Sequence, residues 1–305
     1  VSVILSLLMI FSVVQSFSAV IKKSPGIYNN TIFKYEIKED GKIKIIQYLQ
    51  KTEECHIPET IDNIVVNELD DTIFSDSVKT LYIPNSITKI DSLAFYFARE
   101  LETIYTDCET IGVAYNKASA LKNLILQDNV KTIKDSTFEN NKTLENVVVG
   151  KNVITVGYDA FFNCTSLKNV EFLGKNTQIQ SEVFSECRNL QAVKLPSNLG
   201  TLQYGTFDGC IKLSSIKLPP SLTTIFSWNF YNCKSLKEIN LPENLKKIDY
   251  GVFDECTGLR KIVYDAIKLT DYDVDLLYDC ENVTTVEIGD KVQTIPTRFF
   301  NGMKN

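Results

Sequence analysis

From residue 115 onward a large apolar residue returns every 23 positions: Tyr115, Phe138, Phe161, Phe184, Phe207, Phe230 and Phe253, with Leu276 and Phe299 continuing the count. Smaller apolar residues fall at fixed offsets between them. Phe230 is followed by Cys233, Leu236, Ile239, Leu241, Pro242, Leu245 and Ile248. The units that begin at Phe207 and Phe184 keep the same offsets, and those at Phe161 and Phe138 are looser copies. Ile239 and Leu241 alternate with Asn240, which predicts a short strand with one buried face. Pro242 ends that strand, because it has no N–H for the ladder and restricts the residue before it. Leu245 and Ile248 point inward from a return path, and Tyr250-Gly251 predicts a tight corner, a short helical or 3₁₀ turn. One such coil cannot bury its own apolar edge. Stacked coils bury each other's, with strands about 4.8 Å apart. The pattern therefore predicts a solenoid: a curved parallel β-strand ladder with short helical or 3₁₀ and irregular return segments.

The repeats begin before the strict 23-residue period. Ile83-Pro84, Ile87, Ile90, Phe95, Leu101 and Ile104 form one unit, and Ile57-Pro58, Ile61, Ile64, Leu69 and Phe74 another. Upstream, Phe33 to Leu49 alternates apolar and polar residues around Asp40-Gly41, a strong hairpin signal. A hairpin there would cap the first open edge of the stack. These residues resemble the BspA-type leucine-rich-repeat family. The marks are the L-x-x-I-x-L-P-x-x-L-x-x-I…F-x-x-C-x-x-L pattern and an opening similar to that family's N-terminal cap: Tyr35-Glu36-Ile37, Asp40-Gly41, then Ile57-Pro58-Glu59-Thr60-Ile61-Asp62. The resemblance covers about residues 33–305. It implies a leucine-rich-repeat solenoid, in a family of secreted or surface-displayed proteins of bacteria and parasitic protists that includes adhesins and antigens. Two departures stand out. The coil from Asp265 to Cys280 loses its apolar return path, and Cys280 sits one residue late. The sequence also stops just past Phe299 without a capping unit, so a continuation is expected.

Charge and composition narrow the function. A formal charge of −6 argues against a nucleic-acid binder, which would carry a basic stripe. Residues Val1 to Ile21 carry no charge and are mostly apolar. They read as the apolar part of a signal peptide over 1–18, cut after Ser18, or as a membrane anchor; five serines and Gln15 favour the signal. The expected organisation is signal peptide 1–18, cap and first degenerate coil 19–74, and repeats over 75–305.

Five of eight cysteines (Cys164, Cys187, Cys210, Cys233 and Cys256) stand three residues after the aromatic. In that slot each is expected as a small buried apolar group. Neighbouring slots are close enough for a disulfide, but parallel side chains disfavour one, and free thiols are the favoured reading. No C-x-x-C occurs and the one histidine is His56, so no metal or cofactor is expected. Asp271, Asp273 and Asp275 imitate the start of a calcium loop, but Leu276 stands where glycine is required. Cys55-His56 could suggest a reactive pair, except that neighbours on a strand face opposite ways. No nucleophile elbow or phosphate loop appears, so the chain is read as non-enzymatic. Among four N-x-S/T sequons, Asn29 and Asn141 are the plausible glycan acceptors.

The outward strand position is the best binding candidate. It is filled in order by Tyr82, Tyr105, Ile125, Val148, Glu171, Lys194, Lys217, Asn240 and Val263. An exposed Tyr-Tyr-Ile-Val row is an unusually large apolar patch, typical of interaction sites; strand propensity explains the same residues equally well. Lys194 and Lys217 would stack as like charges and weaken the ladder unless an anion answers them. The functional expectation is a secreted or cell-surface recognition protein that binds a protein or glycan through the concave face, possessing adhesive potential. Its rivals are a substrate- or wall-binding arm of a larger enzyme and an intracellular scaffold.

Overall fold

The computed structural model describes residues 23–305 apart from 72, 75, 270–275, 278, 279, 302, 304 and 305. The leader over 1–18 and Asp271, Asp273 and Asp275 lie outside the described residues. The chain is a β-solenoid. It opens with an antiparallel meander of Gly26–Asn29, Phe33–Ile37 and Ile43–Tyr48. Phe33, Tyr35 and Ile37 alternate buried with half-buried neighbours, as the sequence pattern requires. The turn closes at Gly41, whose φ of 75° suits glycine, and Lys38 N–H donates to the Lys42 carbonyl at 2.9 Å. Ile43–Tyr48 then pairs in parallel with Ile64–Leu69, which joins the hairpin to the stack.

The strand-lined face is a parallel ladder of Glu54–His56, Thr80–Ile83, Thr103–Thr106, Asn123–Leu126, Asn146–Val149, Asn169–Phe172 and Ala192–Lys194. It resumes as Glu238–Leu241, Lys261–Tyr264 and Thr285–Ile288. The coil between, around Ile216–Leu218, forms no strand. The lapse falls where in-register pairing would set Lys217 beside Lys194, and where Pro219-Pro220 follows at once; like charges oppose pairing and proline cannot donate to it. Opposite this face runs a second ladder of two-residue rungs. It too is interrupted, between Lys89–Ile90 and Thr110–Ile111 and between Gln178–Ile179 and Thr201–Leu202. The first interruption follows from a coil of 20 residues, Tyr105 to Ile125, in place of 23. A cleft opens at each missing rung; that beside Thr88, Lys89, Thr110 and Val113 has a volume of about 460 Å³.

The interior is one column of aromatic rings. Phe138, Phe161, Phe184, Phe207, Phe230 and Phe253 stack with centroids 5.2–5.7 Å apart and planes within 12°. Beside it stands a column of thiols. Cys187 Sγ donates to the Phe161 carbonyl at 3.1 Å, and Cys164, Cys210, Cys233, Cys256 and Cys280 repeat the bond one coil back each time. All eight cysteines are buried thiols outside any disulfide. Cysteine suits the slot because it is apolar enough for the core yet still donates to a carbonyl facing the next coil. The column bends from strict period at its end: Cys280 N–H donates to the Leu277 carbonyl, so Leu277, not Leu276, takes the aromatic's place, and Phe299 is buried beside Tyr264. One inserted residue explains why Cys280 is late.

The return path holds one 3₁₀ turn among the described residues, Val113–Lys117, and is irregular elsewhere. From Ser136 onward its corner carries two left-handed residues per coil, four apart: Ser136 and Asn140, Asp159 and Asn163, Glu182 and Glu186, Gly205 and Gly209, Trp228 and Asn232, Gly251 and Glu255, with φ of 49–69°. They turn alternate N–H groups toward the following coil, as where Phe184 and Glu186 donate to the Thr206 and Asp208 carbonyls. The corner thus has a hydrogen-bonded ladder of its own.

Candidate recognition face

Register places Tyr82 opposite Tyr105, Tyr105 opposite Ile125, then Val148, Glu171 and Lys194 in one outward row. Six of the nine expected positions therefore share a sheet. Lys217 lies in the lapsed coil. Asn240 and Val263 pair with each other on the second group of strands, continued by Glu287, and Asn240 Nδ2 donates to Asp265 Oδ2 at 3.1 Å.

The row begins one rung earlier than the sequence suggested. His56 pairs with Tyr82, and their rings are parallel within 5° at 4.0 Å; Tyr82 and Tyr105 stack at 4.7 Å and 7°. A signal for His56 was present, since His56-Ile57-Pro58 copies Tyr82-Ile83-Pro84. Cys55 turns the other way into the core, where burial pushes its thiol up to about 12. His56 and Cys55 thus form no reactive pair.

Two further rows border the apolar one. Asn169 Nδ2 donates to Asn146 Oδ1 (2.8 Å), Asn146 to Asn123 (2.9 Å), and Asn123 to Thr103 Oγ1 (3.2 Å). Outside them, charges alternate along the stack: Lys79 meets Glu53 at 2.6 Å, Lys122 meets Glu102 at 2.7 Å and Lys168 meets Glu145 at 2.6 Å. Lys194 is answered within the row by Glu171 at 2.7 Å. The border is therefore internally satisfied, whereas Tyr82, Tyr105, Ile125 and Val148 meet one another along the face, and His56 at the end of the row has Glu54 Oε2 3.9 Å from its Nε2. Such a surface offers rigid, half-exposed apolar area framed by polar groups that already hold their geometry.

Other candidates resolve differently. Asn141 is buried, its Oδ1 accepting the Thr143 and Leu144 N–H groups and its Nδ2 donating to Asn116, so it is a capping residue and not an exposed glycan acceptor. Among the described residues no group of three or more His, Cys, Asp or Glu is placed to hold a metal. On the corner, burial, then Glu186 and Glu182, push Asp208 up to about 6. Its ordinary value is about 3.9 in an unfolded chain, so the folded state keeps a proton that the unfolded state has lost between those values. Stability from this group falls as pH rises through that window and stays low above it. Asp208→Asn is expected to raise stability at pH 7.5 by about 1 kcal/mol, allowing for solvent screening at this half-buried site, and to gain nothing below pH ~4. Urea midpoints at the two pH values check it.

A family model described as the BspA type leucine rich repeat region matches in six copies, over residues 44–168, 109–225 and 177–305. No curated protein matches the chain. Among solved structures, the chain is similar to a leucine-rich repeat protein from Bacteroides ovatus, at 23% identity and a TM-score of 0.57, covering 90% of this chain and 80% of that one. A leucine rich cell surface protein from Faecalibacterium prausnitzii matches at 17% identity and 0.37, over 87% and 95%. The pneumococcal vaccine antigen PcpA matches at 21% and 0.37, over 91% and 90%.

Proposed function

This chain belongs to the BspA-type leucine-rich-repeat family, and on that footing we propose that it is a non-enzymatic recognition protein, exported or held at the cell surface, that binds a protein or glycan through its strand-lined face. The observation that carries this reading is the stack of His56, Tyr82 and Tyr105 running into Ile125 and Val148. Tyrosines give large contact area for few rotatable bonds, and rings already fixed against one another lose little freedom when a partner arrives. Glu171 and Lys194 end the apolar stretch with a charge pair that would set the partner's register. The uncharged leader Val1–Ile21 supports export.

The test is a joint Tyr82→Ser and Tyr105→Ser variant, compared with the wild type for binding to extracellular-matrix proteins, surface glycans and intact cells. Both residues face outward, so the unfolding midpoint should move little. Binding should weaken about tenfold or more, the scale on which clustered aromatic anchors act. Undiminished binding by a folded variant would remove the strand-lined face from consideration.

A further inference from the structure

A second surface lies on the corner of the coils, away from the strand-lined face. Trp228, the one tryptophan of the chain, is 40% exposed there. Its ring centroid lies 5.5 Å from Tyr204, 6.3 Å from Tyr231 and 6.2 Å from Tyr250, the last edge-on at 89°. Tyr250 is 58% exposed. Trp228 occupies one of the left-handed positions, with φ of 59°, which is unusual for so bulky a residue. The same position in the coils on either side is glycine, Gly205 and Gly251. A Cβ on Gly251 would come 2.3 Å from Trp228 Cδ1, so the indole lies against bare backbone. The fold therefore accepts backbone strain and a side-chain-free neighbour at Gly251 to lay one large ring across the surface.

Acidic groups run beside these rings. Tyr231 Oη donates to Glu255 Oε1 at 3.3 Å. A Cβ added to Gly205, next to Tyr204, would come 3.2 Å from Glu182 Cγ and 3.9 Å from Asp208 Cβ, so both acidic side chains lie against this corner; burial, then Glu182, Tyr250 and Asp208, push the Tyr204 phenol up. Glu186 is answered by Arg188 at 2.7 Å, whereas Glu182, Asp208 and Glu255 form no ion pair among the described residues. An aromatic platform alone would suit a sugar or an apolar side chain. Uncompensated carboxylates along its flank favour a cation, because a guanidinium or ammonium can lie on a ring face while its charge meets the acids.

We infer that the Tyr204, Trp228, Tyr231 and Tyr250 ridge, flanked by Glu182, Asp208 and Glu255, is a docking platform for a basic, arginine- or lysine-bearing segment of a partner protein. This surface is independent of the strand-lined face, and neither reading depends on the other.

The single tryptophan makes the test direct. A short oligo-arginine peptide titrated into the protein should change Trp228 emission saturably, and salt should weaken the effect. Glu182→Gln with Asp208→Asn should weaken binding roughly two- to fivefold per carboxylate. Tyr250→Ser should weaken it too while leaving the tryptophan to report. Glu39→Gln with Glu59→Gln removes the same charge from the exposed cap and should leave binding unchanged. Thermal unfolding curves of the variants separate lost binding from lost folding. Three results would each overturn the proposal: an emission response to a neutral oligosaccharide but not to the peptide, equal weakening by the cap variant, or peptide binding with Trp228 silent.

Discussion

Phe207→Ala is expected to destabilise the solenoid by about 3–5 kcal/mol, the range for truncating a fully buried phenylalanine. The ring is wholly buried, between Phe184 at 5.7 Å and Phe230 at 5.6 Å, nearly parallel to both. Removing it leaves a void whose walls are two rings held by their own coils. Those coils are tied by the thiol bonds from Cys210 to the Phe184 carbonyl and from Cys233 to the Phe207 carbonyl, and by corner bonds such as Phe207 N–H to Asn229. Collapse into the void is therefore restricted, which puts the cost toward the upper end. The loss also falls beside the lapse of the strand ladder around Ile216–Leu218, where one of the stack's hydrogen-bonded seams is already missing. In a nearest-neighbour stack a weakened interface separates the blocks on either side. Urea unfolding followed by circular dichroism should show a lower midpoint and a broader or two-step transition. Phe300→Ala, at a ring 49% exposed near the end of the chain, should cost far less. Equal effects from the two would mean that the column does not bear the stack's stability.

The column itself was legible because its evidence is additive: each coil repeats the same residue at the same offset, and one physical requirement explains all of them. The thiol column and the outward row from Tyr82 to Lys194 follow in the same way, while the hairpin was legible from the alternation on either side of Asp40-Gly41. What the pattern concealed falls into three kinds. Left-handed residues at the corner are Ser136, Asp159, Glu182 and Trp228 as well as glycines, so no residue type announces them. Their conformation is imposed by hydrogen bonds between coils, not by local preference. Ladder lapses depend on pair relations between successive coils, such as Lys194 against Lys217, and on a coil shortened to 20 residues. The shift to Leu277 needs the inserted residue to be assigned to one side of the slot, which the Leu276-Leu277 doublet leaves open in sequence. For the recognition face, the row from Tyr82 was readable, and its first member was signalled only by the match of His56-Ile57-Pro58 to Tyr82-Ile83-Pro84, because the 26-residue spacing of the two departs from the 23-residue period. The asparagine and charge-paired borders were readable in principle, as columns at Asn123, Asn146 and Asn169 and at Glu102, Lys122, Glu145 and Lys168. The corner platform was not, since only Tyr204 and Tyr250 share an offset in the repeat, and Trp228 and Tyr231 stand at two others.

Gly258→Ala should destabilise the last coils by about 1–3 kcal/mol, the cost of forcing extra volume into a packed interior. Here the requirement is one of space, since no positive φ is involved. A Cβ at this position would come 2.1 Å from the Lys234 carbonyl oxygen and 3.1 Å from that of Leu236, both backbone atoms of the coil before. Backbone oxygens cannot swing aside as a flexible side chain can, so the two coils must part. The preceding coils hold Ser166, Asn189, Lys212 and Ser235 at the same offset, so the repeat itself does not demand glycine; the close approach belongs to this pair of coils. Parting them would strain the pairing of Glu238–Leu241 with Lys261–Tyr264, which begins three residues on and keeps Leu259 and Ile262 buried. Gly200→Ala is the matched comparison, because nothing lies within 4 Å of a Cβ added there and its φ is not positive. That change should be neutral or slightly stabilising, by up to about 1 kcal/mol, through a less flexible unfolded chain. Hydrogen exchange should show faster amide exchange over Lys261–Tyr264 in the Gly258 variant with the ladder from Thr80 to Lys194 unaffected. Equal stability of the two variants would show that the coils at Gly258 are not in close backbone contact.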